Sequence, residues 1–175
     1  MWPALGLFFV SFVIEIMILC CKNMARVVPT NYILLSIFTI CQAFFFSFAT
    51  SLFTPESSLM AGGMTVAMTL MLTIYAFTTK TDFTVCGSLF AVIGMAMFML
   101  ILMLIFMRFV VWWHPFMAAI SLIFYALYLI YDTQLIAGGR SHELSLDDYV
   151  IGTLILYVDI MMIFLELLRL FGNKA

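Results

Sequence analysis

Polar residues break the apolar sequence at intervals wide enough for a bilayer, leaving six runs at 4–21, 32–53, 59–79, 83–107, 110–137 and 149–171. A hydrocarbon core about 30 Å thick needs roughly 20 helical residues, a length that every run but the first meets. Barrel strands would be half as long and would alternate polar with apolar, so the pattern predicts helices. The expected fold is all-α, a polytopic membrane bundle of six apolar helices forming one transmembrane domain over 1–175. The breaks carry suitable stop chemistry: Pro29 and Asn31, Thr54-Pro55-Glu56, the charged stretch 80–82, Arg108, and Gly138-Gly139. Trp112, Trp113 and His114 read as an interfacial belt, and Pro115 opens the fifth helix proper.

Composition sharpens this picture. With 66% hydrophobic and 9% charged residues and a mean hydropathy of +1.23, only a lipid bilayer can take up the apolar surface. A net charge of −2 without a basic block excludes nucleic acid as a partner. Cys20, Cys21, Cys41 and Cys86 lack ligand-like spacing and read as packing residues, so no cofactor is expected. Lys22, Arg26, Lys80 and Arg140 fall in loops on one side and Arg108 on the other, which makes the first side cytosolic. If the last run crosses, Arg169 and Lys174 join Arg108 and the count is four against three. If that run is re-entrant, it is six against one.

Ionisable groups at membrane depth are the candidate site residues. Glu15, Asp132 and Asp159 each sit inside an apolar run, where an isolated charge costs at least roughly 2.5 to 3.5 kcal/mol. The loop 138–148 is short, so the helices carrying Asp132 and Asp159 are expected to be antiparallel neighbours. Counted from that loop, the aspartates differ in depth by about five residues, roughly 7 to 8 Å, which tilt or offset ends can close. Within reach of each other they would share a proton and, ionised, offer oxygens to a hard cation such as Ca2+. The plainer reading is that each acid bonds a tyrosine or backbone group, and Tyr128 stands four residues before Asp132. Arg26 is either a topogenic charge or a latch that pairs with Asp132. Glu166 lies one heptad after Asp159, and Arg169 three residues later neutralises it. His142, Glu143, Asp147 and Asp148 read as a solvated loop in which Asp147 or Ser145 caps the last helix.

These acids occur within recognisable words. The stretch 129–139, Leu-Ile-Tyr-Asp-Thr-Gln-Leu-Ile-Ala-Gly-Gly, is followed by Glu-Leu-Ser-Leu-Asp-Asp-Tyr-Val at 143–150, Leu-Tyr-Val-Asp-Ile at 156–160 and Arg-Leu-Phe-Gly at 169–172. Together they resemble the C-terminal signature of the Bax inhibitor family, in particular its Lifeguard and Golgi anti-apoptotic branch. Upstream, Thr-Lys-Thr-Asp-Phe-Thr at 79–84, and Cys20-Cys21 followed by Arg26, Pro29 and Asn31, are similar to further family segments. The resemblance implies a central last helix surrounded by six others. It also implies a Ca2+ leak in endoplasmic reticulum or Golgi membranes that lowers luminal Ca2+ and suppresses apoptosis. By the same resemblance Asp132 and Asp159 match a di-aspartyl pH-sensing pair and Arg26 the arginine that latches onto the first of them. The family's usual first span and leader are expected to be missing before Met1-Trp2-Pro3.

Three functions are open at this point. The first is a pH-modulated Ca2+ leak, with Ca2+ as the transported ion. The second is an interaction protein that binds other membrane cell-death regulators, with the buried acids serving only packing specificity. The third is an intramembrane aspartyl protease. Against the protease, the second aspartate of such enzymes follows Gly-x-Gly, whereas Asp159 follows Leu156-Tyr157-Val158. No nucleophile triad, phosphate loop or zinc motif suggests another enzyme.

Overall fold

The computed structural model describes residues 2–106 and 114–174. Arg108 and the Trp112-Trp113 belt lie outside the described residues. The helices are α1 (Trp2–Cys20), α2 (Lys22–Arg26), α3 (Thr30–Thr50), α4 (Pro55–Thr78), α5 (Gly87–Phe106), α6 (His114–Ala137) and α7 (Tyr149–Phe171). Short 3-10 turns at Phe83–Cys86 and Leu146–Asp148 precede α5 and α7. Among the described residues, Thr30–Thr50, Pro55–Thr78, Pro115–Ala137 and Leu146–Phe171 have the length and hydropathy to cross a membrane, and Gly6–Cys20 and Phe83–Ala96 are shorter apolar helices.

Local chemistry sets the boundaries. Thr54 caps α4 by accepting a hydrogen bond from Ser57 N, with Pro55 in the first turn and Glu56 beside the helix N-terminus. Gly138 and Gly139 end α6 at φ values of 73° and 71°, a left-handed turn that favours glycine over any residue with a Cβ. Neither Asp147 nor Ser145 caps the last helix. Asp148 stands at the N-terminal boundary of α7, and the Ser145 hydroxyl donates to Asp148 Oδ2 at 2.6 Å.

The last helix is the core of the bundle. Its first half buries Val150, Ile151 and Leu154 against Ile14 and Ile18 of α1 and Phe38 of α3. Its second half buries Ile163, Leu167 and Leu168 against Ala61 of α4 and Leu129 of α6. Large apolar side chains such as Phe9, Leu59 and Met71 point outward, as lipid solvation requires. Cys41 is buried, but Cys20, Cys21 and Cys86 are exposed, so the packing role read from the sequence holds for Cys41 and not for these three.

The alternative of a re-entrant last segment is corrected by the two ends of α7. At the start, Asp148 meets Arg26 beside α2. At the finish, Asn173 O accepts from Thr54 N at 2.9 Å and Asn173 N donates to Ser57 Oγ at 2.9 Å, so the tail docks on the α3–α4 loop. The helix runs unbroken for 23 residues, about 34 Å, between opposite ends of the bundle. Arg169 and Lys174 therefore lie on the side opposite Arg26.

Candidate ion-pathway site

Three loops meet at the end of the bundle where α7 begins, and Arg26, Asp82, Arg140 and Asp148 all find partners there. Arg26, at the end of α2, donates from Nε to Asp148 Oδ1 at 2.8 Å and from Nη2 to Asp148 Oδ2 at 2.9 Å and Ser145 Oγ at 3.1 Å. This two-point fork is the geometry in which arginine holds a carboxylate best. The expected pairing of Arg26 with Asp132 is thus replaced by one with Asp148. The 3-10 turn tucks Asp148 inward at 4% exposure rather than leaving it in a solvated loop, and it meets Arg26 at the bundle end.

Beside this clasp, Gln134 of α6 staples the break between α4 and α5. Its Nε2 donates to Ala76 O and Thr81 O, both at 3.1 Å, and its Oε1 accepts from Phe83 N at 2.9 Å. Asp82 accepts from Thr84 N and Oγ1 and from Ser141 N and Oγ, tying the α4–α5 connection to the α6–α7 loop. The Thr84 hydroxyl first and the Ser141 hydroxyl second hold the Asp82 carboxyl well below the usual carboxylate range. Arg140 completes the junction by donating to Thr79 O at 2.7 Å. Sequence reasoning missed Asp82, Gln134 and Asp148 as site-forming residues. The available signal was the Asp82-x-Thr84 spacing of a side-chain-capped turn.

Deeper in the bundle the pattern reverses. Asp132 and Asp159 are 8% and 5% exposed, and their carboxyls lie close enough to interact side chain to side chain. The depth difference read from the sequence shrinks because the helix ends are offset: a Cβ on Gly152 would lie 3.3 Å from Ile136 Cγ1, so these residues are level. Asp159 is then seven residues in and Asp132 four, a difference of about 4 to 5 Å. Half-buried Glu15 of α1 brings a third carboxyl within electrostatic range of Asp159. Asp159 Oδ2 is buried without a hydrogen-bond partner. Tyr128, the neighbour that could have satisfied Asp132, donates instead to Phe90 O.

Among the described residues the salt bridges are Arg26–Asp148 and Arg169–Glu166, and neither includes the aspartate pair. No group of three or more metal-ligating side chains occurs among them either. Two carboxyls supply at most four oxygens, fewer than the six to eight that hold a resident Ca2+. A cavity of about 460 Å3 at the α7-start end is lined by Thr84, Gly87, Tyr131, His142 and Glu143, and so reaches the residue next to Asp132.

Over residues 1–175 the chain matches the family model described as Inhibitor of apoptosis-promoting Bax1. It is 36% identical over 167 residues to protein lifeguard 3 of Homo sapiens, covering 93% of this chain and 54% of that protein. Against protein lifeguard 3 of Mus musculus the identity is 36% over 159 residues, covering 89% and 51%. An uncharacterized protein of Campylobacter jejuni is 31% identical over 173 residues, covering 93% and 71%. The chain spans about half the length of the lifeguard relatives it matches.

Proposed function

The chain belongs to the Bax inhibitor family, and from that premise we propose that this integral, multi-pass membrane protein is a pH-modulated Ca2+ leak of endoplasmic reticulum or Golgi membranes that suppresses apoptosis by lowering luminal Ca2+. The observation that carries the reading is the pair Asp132 and Asp159: two buried, neighbouring carboxyls on the central helix pair, in no salt bridge among the described residues, one of them with an unpartnered oxygen. A charge left alone there is costly, so the pair must share a proton or accept a cation. Protons and Ca2+ then compete for the same oxygens, and pH sets the occupancy.

Arg26 is the latch in this reading. Bound to Asp148 it leaves the aspartate pair open to a cation. Moved to Asp132 it would neutralise the pair and close the path. Only a difference in affinity between the two arrangements can drive that exchange.

Ca2+ flux into dye-loaded proteoliposomes, from about pH 5 to about pH 8, tests the proposal against Asp132→Asn and Asp159→Asn. The expected result is a pH-dependent flux in the parent that both variants lose. Folded parent protein without flux at any pH overturns it. If the variants lose flux yet protect cells as well as the parent, suppression of cell death belongs to binding of other membrane regulators. Membership of a non-enzymatic family removes the protease reading.

A further inference from the structure

Two helical turns beyond the aspartate pair, the α6–α7 interface repeats its arrangement. Tyr125 precedes Asp132 by seven residues and Glu166 follows Asp159 by seven, which in antiparallel helices places Tyr125 opposite Glu166 about 10 Å farther along. Tyr125 lies within electrostatic range of both Glu166 and Asp159, and so bridges the two levels. Glu166 is 3% exposed, yet Arg169 satisfies only its Oε1, at 3.0 Å, and Oε2 is buried without a partner. Arg169 itself is 59% exposed at the side chain, free to turn outward. Ala61 and Met64 from α4 and Leu129 from α6 belong to the same buried cluster as Ile163, Leu167 and Leu168 of α7.

A buried acceptor without a donor is costly and calls for an occupant. We propose that Glu166, opposite Tyr125, is a second station for a divalent cation on the route between the Asp132–Asp159 pair and the α3–α4 end of the bundle, with Arg169 as its exchangeable counter-ion. Conduction through a narrow route requires successive sites that each bind weakly enough to release, and a spacing of two turns along one helix face supplies them. At the station Arg169 swings from Glu166 Oε1 toward solvent as the cation arrives, and returns when it leaves. This inference rests on the leak reading, from which it takes the identity of the cation.

The test is Ca2+ flux into proteoliposomes for the parent, Glu166→Gln, Glu166→Asp and Arg169→Gln. Glu166→Gln is expected to lower flux about tenfold, the loss of one charge-assisted contact, while the pH midpoint set by the aspartate pair stays in place. Glu166→Asp retains most of the flux, because the charge is kept. Arg169→Gln raises flux about two- to fivefold by removing the competing cation, and decides the matter if Glu166→Gln fails to fold. Parent flux with unchanged Glu166→Gln, or unchanged Arg169→Gln, overturns the second station and leaves the leak standing. A folded parent without flux overturns both.

Discussion

The α7-start end of the bundle and its interior treat their charges in opposite ways. At the end, Asp148, Asp82 and Arg140 all have partners, and Gln134 uses its amide nitrogen and its oxygen. In the interior, Asp159 and Glu166 each keep an oxygen that bonds to nothing, although both residues are more deeply buried than Asp132. A chain selected only for stability would leave neither acid short of a donor, since an unmade hydrogen bond costs most where water is absent. The contrast gives the loop junction the part of holding the bundle together and leaves the α6–α7 seam, in the proposed leak, to the ion.

Breaking the junction should give the largest effect. Gln134→Leu removes three hydrogen bonds and leaves Ala76 O, Thr81 O and Phe83 N without their partner, so unfolding in detergent should show a loss of about 2 to 4 kcal/mol. Breaking the seam should leave stability intact or improved and act on transport. Asp159→Asn is expected to reduce Ca2+ flux at least about tenfold, with an unfolding midpoint no lower than the parent's. A large fall in that midpoint would place Asp159 with the junction and erase the contrast.

Asp148→Asn probes the link between the two regions. It weakens the hold on Arg26, so the arginine reaches Asp132 more often and flux near neutrality falls by up to about fivefold. Equal flux in this variant and the parent would show that Arg26 serves only the junction.

The smallest effect is expected for Asp82→Asn, and it sharpens the comparison through pH. The folded protein holds this carboxyl below its ordinary value of about 3.9, so its stabilising contribution is complete above that value and is lost as pH falls through the folded value. Asp82 therefore adds nothing to the pH dependence between about pH 5 and about pH 8. Unfolding midpoints of parent and variant should run parallel across that range and converge in stronger acid. A pH-dependent gap near neutrality would move part of the sensor to the loops.

The residue pattern was enough to establish that the chain is an all-helical membrane protein and to single out the acids that lie inside its apolar runs. Those properties are local: hydropathy over about 20 residues defines a span, and a carboxyl inside it is conspicuous wherever the span packs. The antiparallel placement of Asp132 near Asp159 was legible too, because a short loop leaves two helices little choice of neighbour. Partner choice was not. Arg26 could be assigned to Asp132 or to no partner, and only the packing of α2 against the 3-10 turn delivers it to Asp148. The direction of Tyr128 toward Phe90 O, the level of Gly152 against Ile136 and the docking of Asn173 on Thr54 belong to the same class. Each depends on the relative offset of helices distant in sequence, and a shift of a few ångströms, invisible in any local pattern, decides which long side chain meets which oxygen.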